Sequence, residues 1–253
     1  MLNLLRMDLR RFVRNRLTLI LLLVYCVFHM FAIFMMSQYP TAPVQGMAID
    51  EMTEGQFLQY ITSSAPSWVL IYLSVFTVYF YMSEYQAGFY KNYMSMRRAR
   101  VYSVLAKLAV QGVFTMLLLA AVVFSDMASR WWFFNNTEFG ELGLFLRVLG
   151  VQFVLHWGFT ALVLCLTILV RSLLTAVIAG IVLSFNLIGM GLAVLESLAG
   201  LPHISSYLLV NSIVTYSDYS DNGHALHGIA VGVVALVLFT VVSIRLKMKE
   251  DLR

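Results

Sequence analysis

Apolar residues fill six long stretches of the chain, and polar residues collect between them. The stretches are 17–36, 68–82, 104–124, 144–170, 173–198 and 225–244. At ~1.5 Å of rise per residue, about twenty helical residues cross a hydrocarbon core ~30 Å thick. The pattern therefore predicts an all-α integral membrane protein, with residues 1–253 forming one transmembrane domain of six helices. The run 17–36 is long enough to span and is followed by no small-residue cleavage site, so it reads as a span and not as a signal peptide. Residues 68–82 are short and aromatic, with Trp68, Tyr72, Phe76, Tyr79 and Phe80 recurring at near-helical spacing. The run 144–170 exceeds the membrane thickness and is expected to tilt, bend or project. Residues 173–198 carry Gly180, Ser184, Asn186, Gly189 and Gly191; the small residues permit close helix approach, and Asn186 needs a partner in lipid.

Two further segments are amphipathic. In residues 1–16, Leu2, Leu5, Leu9, Phe12 and Val13 fall on one helical face and Arg6, Arg10 and Arg14 on the other, which predicts an interfacial helix with its arginines at anionic headgroups. Between the second and third runs, residues 84–107 form the one long basic segment caught between two apolar stretches. There Tyr85, Phe89, Tyr93 and Met96 share a helical face, while Lys91, Arg97, Arg98 and Arg100 crowd the polar side and the C-terminal end, where they suit the helix dipole. Such a helix either seats in a groove of a partner protein or lies on the membrane surface without one. Residues 204–214 are too apolar for a plain loop and suit a short interfacial or re-entrant helix.

Composition agrees with the pattern: 60% of residues are hydrophobic and only 12% charged, far from the balance of a soluble domain. The formal charge of +4 forms no contiguous patch, which argues against nucleic acid as a partner. Basic residues instead sort by side. Residues 1–16, 91–107, Arg171 and the tail after 244 hold fifteen of the seventeen, leaving only Arg130 and Arg147 on the other side. The positive-inside rule then puts both termini in the cytosol of a multi-pass protein of the cytoplasmic membrane. Loops 37–67, 125–141 and 200–224 are expected outside, with Trp131, Trp132, Phe133 and Phe134 as a headgroup-level belt. Cys26 and Cys165 lie within apolar runs, so neither a disulfide framework nor a metal site is indicated.

Ionisable groups inside the runs are few. Arg147 lies near the outer end of its run, within reach of Glu138 or Glu141. His156, near mid-membrane, is either a packing histidine or a proton relay. No phosphate-binding G-x-x-x-x-G-K-[ST] loop, H-E-x-x-H, C-x-x-C or G-x-S-x-G occurs, so the chain on its own has neither an ATPase site of that kind nor a recognisable catalytic set.

Within the basic segment, Glu84, Gly88, Ser95, Arg100 and Lys107 stand at the spacing E-x-x-x-G, Ser seven after the Gly, Arg twelve after it and Lys nineteen after it. With six runs and an N-terminal amphipathic helix, this resembles the permease subunit of type-2 ATP-binding-cassette exporters. One departure is Arg97, where that family often has proline, so the helix is expected to continue further before span three. The resemblance implies that residues 84–100 are a coupling helix docking on a separate ATPase subunit, through Glu84, Gly88, Phe89, Lys91, Tyr93, Ser95, Arg97, Arg98 and Arg100. ATP and Mg would be bound by that subunit and no cofactor by this chain. It implies a second permease copy and a path lined by spans two and five, with Tyr72, Phe76, Tyr79, Ser184, Asn186 and Met190 as lining residues and His156 near it. Their aromatic, nearly uncharged character favours an amphipathic or hydrophobic cargo, a peptide first, since toxin and bacteriocin-immunity exporters in the family have similarly small permeases. Two other classes stay open: a proton-coupled carrier with His156 and Glu196 as relays, and a membrane sensor or assembly protein without cargo.

Overall fold

The computed structural model describes residues 2–39, 48–89, 97–200, 204–215 and 217–249. Within these residues every regular element is helical: α1 (Leu2–Arg14), α2 (Arg16–Gln38), α3 (Glu54–Thr62), α4 (Trp68–Gln86), α5 (Arg97–Ser129), α6 (Leu142–Val170), α7 (Leu173–Ser184), α8 (Leu187–Ala199), α9 (Leu209–Val214) and α10 (Asn222–Met248). Short side chains start several of them. Asn15 accepts from the Leu17 amide before α2, Ser67 from Leu70 before α4, Ser172 from Thr175 before α7 and Asp221 from Gly223 before α10, each satisfying an amide the helix leaves unpaired.

Among the described residues, four helices are long and apolar enough to cross a membrane: α2, α5 with the turn that prolongs it to Phe134, α6 and α10. The pair α7 and α8, bent by 40° at Phe185 and Asn186, makes a fifth if counted as one broken span. The chain is thus an all-helical protein compatible with several passes through a membrane. The expected second span, α4, is not among these five. Its four tyrosines and Glu84 lower its apolarity, and it is largely enclosed by the other helices, with Leu70, Leu73, Phe76, Val78 and Phe80 fully buried. Aromatic contacts fix it: Phe76 stacks on Phe114 of α5 at 3.7 Å and on Phe80 at 5.5 Å, and takes the edge of Phe12 from α1 at 5.8 Å.

The fourth run is one continuous helix, α6, as its length suggests, and it pairs along its flank with α10. Two glycines set that approach. A β-carbon on Gly158 would lie 2.8 Å from the carbonyl of Gly232, and one on Gly232 would lie 2.8 Å from Val154 and 3.0 Å from the Leu155 amide.

Elsewhere the structure corrects the sequence reading. Residues expected as a loop after 124 continue α5 to Ser129 and a π turn over Arg130–Phe134, because the polar side chains there find partners inside the bundle. The loop 37–67 contains α3, opened by a Thr53/Gln56 capping box and largely buried. Residues 204–214, by contrast, are helical as expected, with a short 3₁₀ turn followed by α9. Of the aromatic belt, Trp131 and Trp132 are exposed, whereas Phe133 packs on Phe34 and Phe134 on Phe57. Arg147 bonds neither Glu138 nor Glu141; it donates to the carbonyls of Ser220 at 2.9 Å and Tyr219 at 3.2 Å, tying α6 to the approach to α10.

Candidate functional site

The expected coupling segment divides into parts with different surroundings. Glu84 and Tyr85 belong to the last turn of α4 and do not start a separate helix, because that helix closes at Ala87 and Gly88 takes φ +71°, a left-handed conformation that suits glycine. Phe89 follows and is 63% exposed. Lys91, Tyr93 and Ser95, with the remainder of 90–96, lie outside the described residues, as does the side chain of Arg97. Arg98 is exposed and Arg100 half-buried, donating to the Met248 carbonyl at 3.0 Å.

Glu84 itself is buried and tightly held. Its Oε2 lies 2.8 Å from Lys107 Nζ on α5 and 2.6 Å from Arg11 Nη1 on α1. Asp8, one turn before Arg11, completes the cluster at 3.6 Å from Lys107 and 3.8 Å from Arg11. Two carboxylates and two cations alternate here, and all but the partly exposed Arg11 are out of water. Burial raises the Asp8 carboxyl above its ordinary range, Lys107 lowers it, Glu84 raises it and Arg11 lowers it. Arg11 also donates to the Phe80 carbonyl and lies 4.0 Å over the Phe80 ring. The N-terminal helix is therefore clamped to the ends of α4 and α5, with Phe12 in the core beneath it. Arg6, Arg10 and Arg14 remain exposed on the other side, as an interfacial helix requires. Arg10 and Arg14 line a cavity of about 560 Å³ with Tyr79, Ser83 and Phe89. At the same end Lys247 is buried against α4, its ammonium donating to the Tyr81 hydroxyl at 2.9 Å and lying 5.3 Å from that ring.

The expected path residues occupy separate environments. Tyr72 is half-buried, edge-on to Tyr25 at 5.1 Å, and Phe76 is in the core. Ser184 is fully buried, donating to the Gly180 carbonyl at 2.8 Å, while Met190 is exposed. Asn186 stands at the break of the fifth span with φ 55° and donates to Asn211 of α9 at 2.8 Å. Asn211 in turn donates to the Ser205 carbonyl at 3.0 Å, and the Glu196 carboxylate accepts from the Ser205 amide and hydroxyl at 2.5 and 2.7 Å. This chain of bonds fastens the broken span to the 3₁₀ turn and α9. Beside it lies an apolar cavity of about 300 Å³ whose walls include Asn186, Leu187 and Leu209. His156 is fully buried and its Nδ1 lies 2.7 Å from the Gln152 carbonyl one turn earlier.

Sequence reasoning misses a second polar cluster, at the opposite end of the bundle. His29 Nε2 on α2 lies 2.7 Å from Asp126 Oδ1 on α5, both buried, and Tyr25 stacks on the imidazole at 5.2 Å. One turn beyond Asp126, the buried Arg130 pairs with Glu54 of α3 at 2.5 Å and donates to the carbonyls of Met52 and Glu138. Burial and the Asp126 charge push the Glu54 carboxyl up to about 7, against the opposing pull of Arg130. The one signal in the sequence is the spacing of Asp126 and Arg130 at i and i+4, with Tyr25 and His29 likewise, which places each pair on one helical face. Among the described residues no group of three or more His, Cys, Asp or Glu is arranged to hold a metal ion.

In comparisons with known proteins, no family model and no curated protein sequence matches the chain.

Proposed function

We propose that the protein is the membrane-spanning subunit of an ATP-driven exporter, moving an amphipathic or hydrophobic substrate, a peptide first, by alternating access powered by a separate ATPase chain. In this reading α4 is the sixth span, both termini face the cytosol of the cytoplasmic membrane, and two permease copies pair around the path. One observation carries the proposal: Glu84 and Lys107, the two ends of the basic segment, meet in a buried ion pair that Arg11 and Asp8 of α1 join. A push on that segment would reach three helices at once, which is what a coupling element between an ATPase and the spans has to do. The exposed Phe89 beside the clamp supplies an apolar contact for a partner groove.

The proton-coupled carrier built on His156 and Glu196 has less support, because each is engaged locally, one with its own helix and the other with Ser205. The test is coexpression with the neighbouring reading frames. Capture of an ATPase subunit, and substrate-stimulated ATP hydrolysis by the pair in lipid vesicles, is the expected result; a chain that purifies without any nucleotide-binding partner and moves substrate on a proton gradient alone would refute it.

A further inference from the structure

The cluster around His29 and Asp126 is unusual in what it places in the apolar interior. A carboxylate and an imidazole at 2.7 Å, both buried on candidate spanning helices, differ by the position of one proton between a charged and a neutral pair. Around them stand Tyr25 and Cys26 of α2, Tyr72 of α4 edge-on to Tyr25, and Glu54 and Arg130 toward the end of the bundle. The pair is not sealed by its own hydrogen bonds. Asp126 Oδ2, Ser125 Oγ, Ser129 Oγ, Arg130 Nε and Glu54 Oε1 are all buried and have no partner among the described residues. Donors and acceptors mixed over one helical turn and a half suit bridging water, which needs two to four polar partners. Glu54 and Arg130 also line a cavity of about 290 Å³ with Asn136, Thr137 and Glu138.

We propose that His29 and Asp126 form a proton-binding site within the membrane that exchanges with water at the end of the bundle carrying α3, through Glu54 and Arg130. A proton from a hydronium ion there bonds to the Glu54 carboxylate, releasing water. It then passes over bridging water to Asp126 Oδ2, and Glu54 returns to its starting state. Asp126 becomes a neutral acid and its attraction to a protonated His29 falls away. The helix held by that attraction is α2, one of the two spanning candidates least covered by the rest of the chain. Acidity on that side thus loosens α2 from α5. The site stands whether or not ATP drives transport.

Infrared difference spectra of the full chain in oriented lipid vesicles test this, with the bath on the α3 side stepped from about pH 8 to about pH 5, the range in which histidine pairs titrate. The expected result is a protonated-carboxyl carbonyl band that follows that bath and not the opposite one, and that is missing in Asp126→Asn. Glu54→Gln should slow its appearance on the order of a hundredfold, the scale of a positioned acid–base group. Should Asp126→Asn fail to fold, nitrogen-labelled histidine spectra of the wild-type chain, with His29 assigned by His29→Gln, should show the His29 Nε2 signal shift over the same pH step as its bond to Asp126 weakens. A wild-type chain with no band and no change in the His29 nitrogen signals overturns the proposal, as does a band that follows the opposite bath or survives in Asp126→Asn.

Discussion

Glu84 at the end of α4 and Lys107 on α5 lie 2.8 Å apart in a buried pair, so the two ends of segment 84–107 meet. A buried charge stripped of its partner costs ~3–5 kcal/mol, far more than an exposed ion pair contributes. Lys107→Met should therefore lower the thermal midpoint of the chain in detergent strongly, by several kcal/mol in stability, because Glu84 loses its buried cation while Arg11 is partly exposed. Glu84→Gln together with Lys107→Met should recover part of the loss. A double variant as unstable as the sum of the two single ones would show that the pair is not coupled.

Phe89 is exposed beside this clamp and makes no contribution to the core. Phe89→Asp should leave membrane insertion and thermal midpoint unchanged and reduce capture of the ATPase subunit at least tenfold, or about 1.4 kcal/mol. Gly88→Pro should leave membrane insertion intact and reduce capture by a different route, since a ring-locked φ near −65° is incompatible with φ +71° and distorts the segment locally. Undiminished capture by both variants would leave the segment as a surface helix without a partner.

Burial and the neighbouring Asp126 raise the Glu54 carboxyl to about 7 from an ordinary 4.5, so the folded chain holds this proton more tightly than the unfolded one. Its contribution to stability is then full below about pH 4.5 and is lost as pH rises through about 7. Paired melts of the wild-type chain and Glu54→Gln should show the wild type losing ground to the variant as pH rises across that window. A difference that is flat with pH, or that runs the other way, would contradict the assignment of Glu54 as the titrating group.

How far the sequence can be read depends on whether the information is local. Apolar run length locates α2, α6 and α10, and the three-and-four spacing of leucines and arginines locates α1, because both properties belong to a single helix. Asp126 reads as loop because hydropathy drops at Ser125, yet its cost is met by His29, ninety-seven positions away in the chain. The same holds for Glu84: its spacing to Gly88 suggests a docking residue, while its partners Arg11 and Lys107 come from two other helices. That Asn186 needs a partner follows from its place in an apolar run, but the partner, Asn211, and the break in the helix at that point require the fold. Long-range pairing of isolated polar residues leaves no periodic trace in a sequence.

The close pairing of α6 with α10 gives the sharpest packing test. Gly158 and Gly232 let the two helices approach until a β-carbon at either would stand 2.8 Å from an atom of the other helix. At Gly158 that atom is a backbone carbonyl oxygen, which cannot rotate away, so Gly158→Val must push the helices apart. The expected cost is that of an overpacked core, ~1–3 kcal/mol or more, read as a lower thermal midpoint. At Gly150, on the same helix, a β-carbon would meet nothing within 4 Å, so Gly150→Ala should be neutral or slightly stabilising through helix propensity. The contrast between the two isolates packing from glycine's backbone effect. A Gly158→Val midpoint no lower than that of Gly150→Ala would mean that α6 tolerates the side chain at the seam and that the two helices are not held at the distance the glycines permit.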